Sequence, residues 1–153
     1  MKDLKEFSWI MELGTTGAIL SFALERESEI GAFYSKYTTQ VEGSSLKDAF
    51  ESIQRAQKKR ERLLTRFRRE NVTEMILEPI HDFESDSYEL DLTNADTVND
   101  VALQKVAIMI EESSQAFFLK ASEKTTFLPE VSEEFKNLSN KAANEIELLK
   151  SIQ

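Results

Sequence analysis

Apolar residues recur at three- and four-residue spacing through four long stretches of this chain, the pattern of amphipathic helices. The periodicity predicts a first helix over 16–41, a second over 45–70, a third over 97–124 and a fourth over 129–151. Ser45-Leu-Lys-Asp48 and Thr97-Val-Asn-Asp100 read as capping boxes that open the second and third helices. Pro129 suits the first turn of the fourth, where its missing N–H costs nothing. Residues 1–13 read as a short additional helix. All four glycines fall in the first 43 residues, and strand-like alternation is nearly absent.

The connections are unequal. A few residues join helices one and two, and a few join helices three and four, so each pair should form an antiparallel hairpin. Residues 71–96 separate the pairs. A helix of ~25 residues is about 38 Å long, and this link is long enough to run back along it. The expected fold is all-α: a single domain over 1–153 forming a four-helix bundle, two antiparallel hairpins joined by one long crossover.

The hairpins read as an internal repeat. Ala23-Leu-Glu-Arg-Glu27 with Ala32-Phe33-Tyr34 is matched, 84 residues on, by Ala107-Ile-Met-Ile-Glu111 with Ala116-Phe117-Phe118. Phe50, Ile53 and Arg60 are matched, 85 residues on, by Phe135, Leu138 and Glu145. Helical phase then puts one charged residue inside each apolar face. Glu27 lies with Leu20, Ala23, Ile30 and Tyr34, and Arg60 with Ile53, Gln57, Leu64 and Phe67. Glu111 lies with Ala107, Ile108 and Phe118, and Glu145 with Leu138, Ala142 and Leu149. Buried charge is expensive unless it is paired or bound to metal. Four charges at repeat-related positions therefore mark a candidate site.

Composition narrows its chemistry. The chain has no cysteine and one histidine, His81. That excludes disulfides, thiolate nucleophiles, cysteine zinc sites and any single-chain site with two imidazoles. Carboxylate, hydroxyl and amine chemistry remain, or binding alone, and no catalytic residue stands out.

The layout resembles the rubrerythrin branch of the ferritin-like superfamily over about residues 18–152. In that branch each hairpin supplies a Glu seven residues before a Tyr, then a Glu-x-x-His pair, and four glutamates with two histidines hold two metal ions in the bundle core. Glu27 with Tyr34 matches the first helix, and Glu111 matches the third with Phe118 in place of the tyrosine. Gln57-Lys-Lys-Arg60 and Ala142-Ala-Asn-Glu145 stand where the two Glu-x-x-His pairs are expected. Both histidines and two glutamates are replaced, and His81 lies in the crossover.

A guanidinium stays protonated and cannot ligate a metal. Arg60 facing Glu27, Glu111 and Glu145 is therefore expected to form an ionic cluster in the former dimetal cavity, with Tyr34 bonded to Glu27 or Arg60 and no cofactor. A second reading keeps iron, manganese or zinc on Glu27, Glu111 and Glu145. A third leaves one or more of these side chains in solvent. The function classes follow: a non-catalytic structural, sensing or partner-binding module, or a metal-binding oxidoreductase (peroxide reduction, oxidase chemistry) or metal store with reduced ligation. Rubrerythrins proper also carry an iron site held by four cysteines, so here a partner would have to supply electrons.

Acids outnumber bases 28 to 19, for a net charge of −9, yet the excess is uneven. Arg55, Lys59, Arg62, Arg66 and Arg69 form a basic stripe on helix two, opposite the Arg60 face. Either it docks an acidic protein partner or, the simpler expectation, it pairs with the acidic crossover (Glu78, Asp82, Glu84, Asp86, Glu89, Asp91) of the same chain or of a second subunit. The net charge and the lack of aromatics on the stripe argue against nucleic acid. His81, between acids, reads as a surface residue. Phe7, Trp9, Ile10, Met11 and Leu13 need covering by the bundle or by a second copy, and with the ferritin-like resemblance they suggest a homodimer. No apolar run approaches a membrane span, and Glu6 and Glu12 interrupt any signal-peptide core, so a cytoplasmic protein is expected.

Overall fold

Each periodic stretch is a helix in the computed structural model, which describes residues 12–70, 79–92 and 99–153. The helices are α1 (Thr16–Tyr37), α2 (Ser44–Glu70), α3 (Asp100–Lys124) and α4 (Pro129–Lys150), with one short 3-10 turn at Ser85–Tyr88. Among the described residues there is no strand, only an isolated bridge between Glu12 and Glu84.

The helix ends differ from the sequence expectation where another element takes over the capping. At the start of α1 the Thr15 hydroxyl accepts from the Ala18 amide at 3.0 Å. This helix stops four residues early. The Tyr37 carbonyl accepts from the Gln40 and Val41 amides, and the resulting turn buries Val41. Helix α2 begins at Ser44, so Ser45 lies inside the first turn rather than capping it. The capping carboxylate is Asp100, from the start of α3, which accepts from the Glu42 and Gly43 amides at 3.0 and 2.8 Å. A Cβ on Gly43 would come within 2.9 Å of that carboxylate, so a larger residue there would displace it. Helix α3 is capped by Asn99, which accepts from Ala102 N at 2.8 Å; Thr97 lies outside the described residues. Helix α4 opens on Pro129 as expected.

Helix α1 packs mainly on α2, and α3 on α4; α2 also touches α4, and α1 touches α3. Side chains link the members of each pair: Ser35 meets Gln54, and Glu27 meets Gln57 and Arg60. In the other pair Ser122 meets Ser132, Gln115 meets Ser139, and Gln104 meets Leu149.

The interior is divided in two. One apolar cluster holds Leu20, Phe22, Leu64, Phe83, Phe117, Phe118 and Phe135; the other holds Ile30, Phe33, Tyr34, Phe50, Ile53, Leu103, Ile110 and Leu149. Burying each large side chain contributes roughly 1.5–3 kcal/mol. Arg26 and Glu27, Arg60, Glu111 and Glu145 lie between the two clusters along their helices.

The crossover closes one side. Phe83 is buried, Tyr88 packs edge-on against Phe83 and Phe117, and Leu90 and Leu92 rest on the second cluster. Glu12 and Leu13 are extended, not helical. The Leu13 amide donates to the Phe83 carbonyl at 2.7 Å, and the Ile80 amide to the Gly14 carbonyl at 2.8 Å. The rest of the expected N-terminal helix, with Phe7, Trp9, Ile10 and Met11, lies outside the described residues. Among the described residues no helix is long and apolar enough to cross a membrane.

Candidate functional site

The four charged residues singled out by helical phase converge in the layer between the two clusters. Glu27 and Glu111 are fully buried, and Arg60 is 5% exposed. Arg60 Nη2 lies 2.7 Å from Glu27 Oε1. Burial by itself disfavours the guanidinium charge. The Glu27 carboxylate beside it, with Glu111 and Glu145, more than offsets that cost and raises the Arg60 pKa above its ordinary value. The guanidinium also lies 6.0 Å from the centre of the Phe118 ring, a cation–π distance.

Gln57 fixes the Glu27 side of this pair. Its amide donates to the Glu27 backbone carbonyl at 2.9 Å and to Glu27 Oε1 at 3.3 Å. Gly31 makes room for it, since a Cβ there would meet Gln57 Oε1 at 2.9 Å.

The α3–α4 side is built from two carboxyls. Tyr34 donates its hydroxyl to Glu111 Oε2 at 2.9 Å. This corrects the expectation of a Tyr34 bond to Glu27 or Arg60: those two are already held to each other, and the tyrosine reaches across to the other hairpin. Glu145 lies beside Glu111, near enough for one carboxyl to share a proton with the other. Desolvation, that shared proton and the Glu111 charge push the Glu145 pKa up to about 9, against the pull of Arg60. At neutral pH the Glu145–Glu111 pair therefore holds a proton between its two carboxyls. Ala142, at the repeat position of Gln57, is buried and offers no polar atom.

Arg26 belongs to the same layer, and helical phase gives no sign of it. It is 2% exposed. Its Nε donates to the Tyr88 carbonyl at 2.9 Å, Nη1 to Ser114 Oγ at 3.2 Å and Nη2 to Ser113 Oγ at 2.8 Å. Burial pulls its pKa down to about 10, with Glu27 and Glu111 opposing, which leaves it charged at neutral pH. Periodicity misses Arg26 because the crossover, not a neighbouring helix, covers that side of α1.

The layer thus brings two arginines together with three glutamates, Glu27, Glu111 and Glu145. Glu27 Oε2, Glu111 Oε1, Glu145 Oε2 and the Arg60 Nε and Nη2 atoms are buried without a well-aligned hydrogen bond. This donor set does not fit two metal ions. No imidazole is present, a fixed cation occupies Glu27, and no three carboxylate or imidazole groups converge to hold a metal among the described residues.

The basic stripe is fully on the surface: Arg55, Lys59, Arg62, Arg66 and Arg69 are all exposed. Arg66 lies 3.6 Å from Glu70 on its own helix. Among the described residues no ion pair joins the stripe to Asp82, Glu84, Asp86 or Glu89. The described crossover packs on α3 and is tied to α1 through Arg26, and neither helix carries the stripe. Glu78 lies outside the described residues. His81 is exposed, as expected.

No family model, curated protein or solved structure matches this chain.

Proposed function

We propose that this chain is a ferritin-like bundle of the rubrerythrin type in which an ion cluster has replaced the dimetal centre, and that it works as a non-catalytic partner-binding module. The observation that carries this reading is the 2.7 Å contact between Arg60 and Glu27 in the buried centre. A guanidinium at that point repels cations, and it uses an oxygen that a metal would need. The hairpin architecture is supported by the order of contacts: rising numbers on α2 meet falling numbers on α1, and α4 meets α3 likewise, as antiparallel pairs do. Asp100 holding the α2 N-terminus supports the crossover, because it puts the starts of α2 and α3 side by side. The exposed basic stripe favours binding over a purely structural role.

Elemental analysis tests the reading. Protein purified, loaded with iron, manganese or zinc, and then desalted should hold none stoichiometrically, and chelator should leave its unfolding midpoint unchanged. Stoichiometric metal that is lost in Glu27→Ala would overturn it, and would assign an oxidoreductase or a metal store using Glu27, Glu111 and Glu145.

A further inference from the structure

A cleft of about 380 Å3 opens between α2 and α4, from the surface to the buried layer. Arg60 and Glu145 line it together with Arg55, Lys59 and Lys141, and its apolar walls are Ala56, Leu63 and Leu138. Arg55, Lys59 and Lys141 are exposed and make no ion pair among the described residues. Arg60 is nine-tenths buried or more, and its Nε–H has no partner. The single acid lining it is Glu145, whose neutral form is favoured by burial and by Glu111 beside it. Four cationic side chains therefore line one cleft in a chain of net charge −9, and the three on its rim make no ion pair among the described residues.

We propose that this cleft is a binding site for a small divalent oxyanion, a phosphate group or a dicarboxylate. Arg60 is its deep donor, and Arg55, Lys59 and Lys141 are its charged rim. A planar guanidinium suits such oxygens because it can present two parallel N–H donors. The carboxylate of Glu27 keeps Arg60 charged and holds it from behind. The proposal rests on reading Arg60 as the fixed cation of a metal-free centre. The two fail separately: bound metal overturns that reading, whereas a metal-free protein without anion binding overturns this one alone.

The test is a titration of the full chain with inorganic phosphate and, separately, with malonate. It is followed by calorimetry and by the NMR signal of the Arg60 Nε–H, at constant ionic strength set with chloride. One of the two anions should bind saturably at one per chain and move the Arg60 signal along the same isotherm. The tighter of the two names the source chemistry. Lys59→Glu and Lys141→Glu, both exposed, should each weaken binding by about tenfold or more. Arg69→Glu makes the same charge change on the same helix outside the cleft, and should weaken it less than about twofold. Non-saturable binding of both anions, an unmoved Arg60 signal, or equal losses in Lys59→Glu and Arg69→Glu would overturn the site.

Discussion

In the α1–α2 half of the central layer a glutamate meets a guanidinium; in the α3–α4 half, at positions 84 and 85 residues on, a glutamate meets another carboxyl. The first half satisfies a buried carboxylate with a permanent charge. The second satisfies one with a proton and a tyrosine hydroxyl. The aromatic at the repeated position follows the same division. Tyr34 donates to the carboxylate of the opposite hairpin, while Phe118 presents its ring to the Arg60 guanidinium. Equal backbone positions thus hold opposite electrostatics. The first half is insensitive to pH across the physiological range, because an arginine does not titrate there. The second is conditional on a proton.

The comparison breaks most visibly at Arg60. Arg60→Met leaves Glu27 buried and unpaired, so chemical denaturation should show a loss of roughly 3–5 kcal/mol. A loss below ~1 kcal/mol would mean that the pair is not buried as described. Next comes Tyr34. Tyr34→Phe removes the donor to a buried carboxylate and should cost about 1.5–3 kcal/mol, read by the same denaturation series.

The proton-dependent half is sharpened by Glu145→Gln, which keeps the shape and can donate to Glu111. Glu145 has its pKa raised from 4.5 to about 9 in the folded state. Between these values the folded protein holds a proton that the unfolded chain has lost. Stability from this group is therefore complete below the unfolded value and falls as pH rises towards the folded one, by at most ~1.4 kcal/mol per pH unit. The wild type should lose stability relative to Glu145→Gln on going from pH 6 to pH 9. Parallel pH profiles would show that Glu145 is ionised. The smallest effect belongs to the surface: Arg62→Gln should change stability by less than about 0.5 kcal/mol, and its denaturation midpoint should match wild type.

Much of this is legible in the residues. The four helices follow from apolar spacing, and the inward phase of Glu27, Arg60, Glu111 and Glu145 from their neighbours one turn away. What is not legible depends on contacts between distant segments. Arg26 shows no helical signal as a core residue, because Tyr88 and Ser113–Ser114 cover it from 62 to 88 positions away. The cap of α2 lies on α3, so a local motif at Ser45 imitates a cap that it does not supply. The partner of Tyr34 cannot be chosen from sequence, because Glu27, Arg60 and Glu111 all lie on helical faces compatible with it. The path of the described crossover, which packs on α3 and is tied to α1 through Arg26, has no periodic signature at all.

The central claim, that Arg60 and Glu27 form one buried unit, is tested most directly by a double-mutant cycle. Unfolding free energies are measured for wild type, Arg60→Met, Glu27→Gln and the double variant. The account predicts that the double variant is far less destabilised than the sum of the single changes, with a coupling of at least ~2 kcal/mol. Additive losses, within about 0.5 kcal/mol, would contradict it.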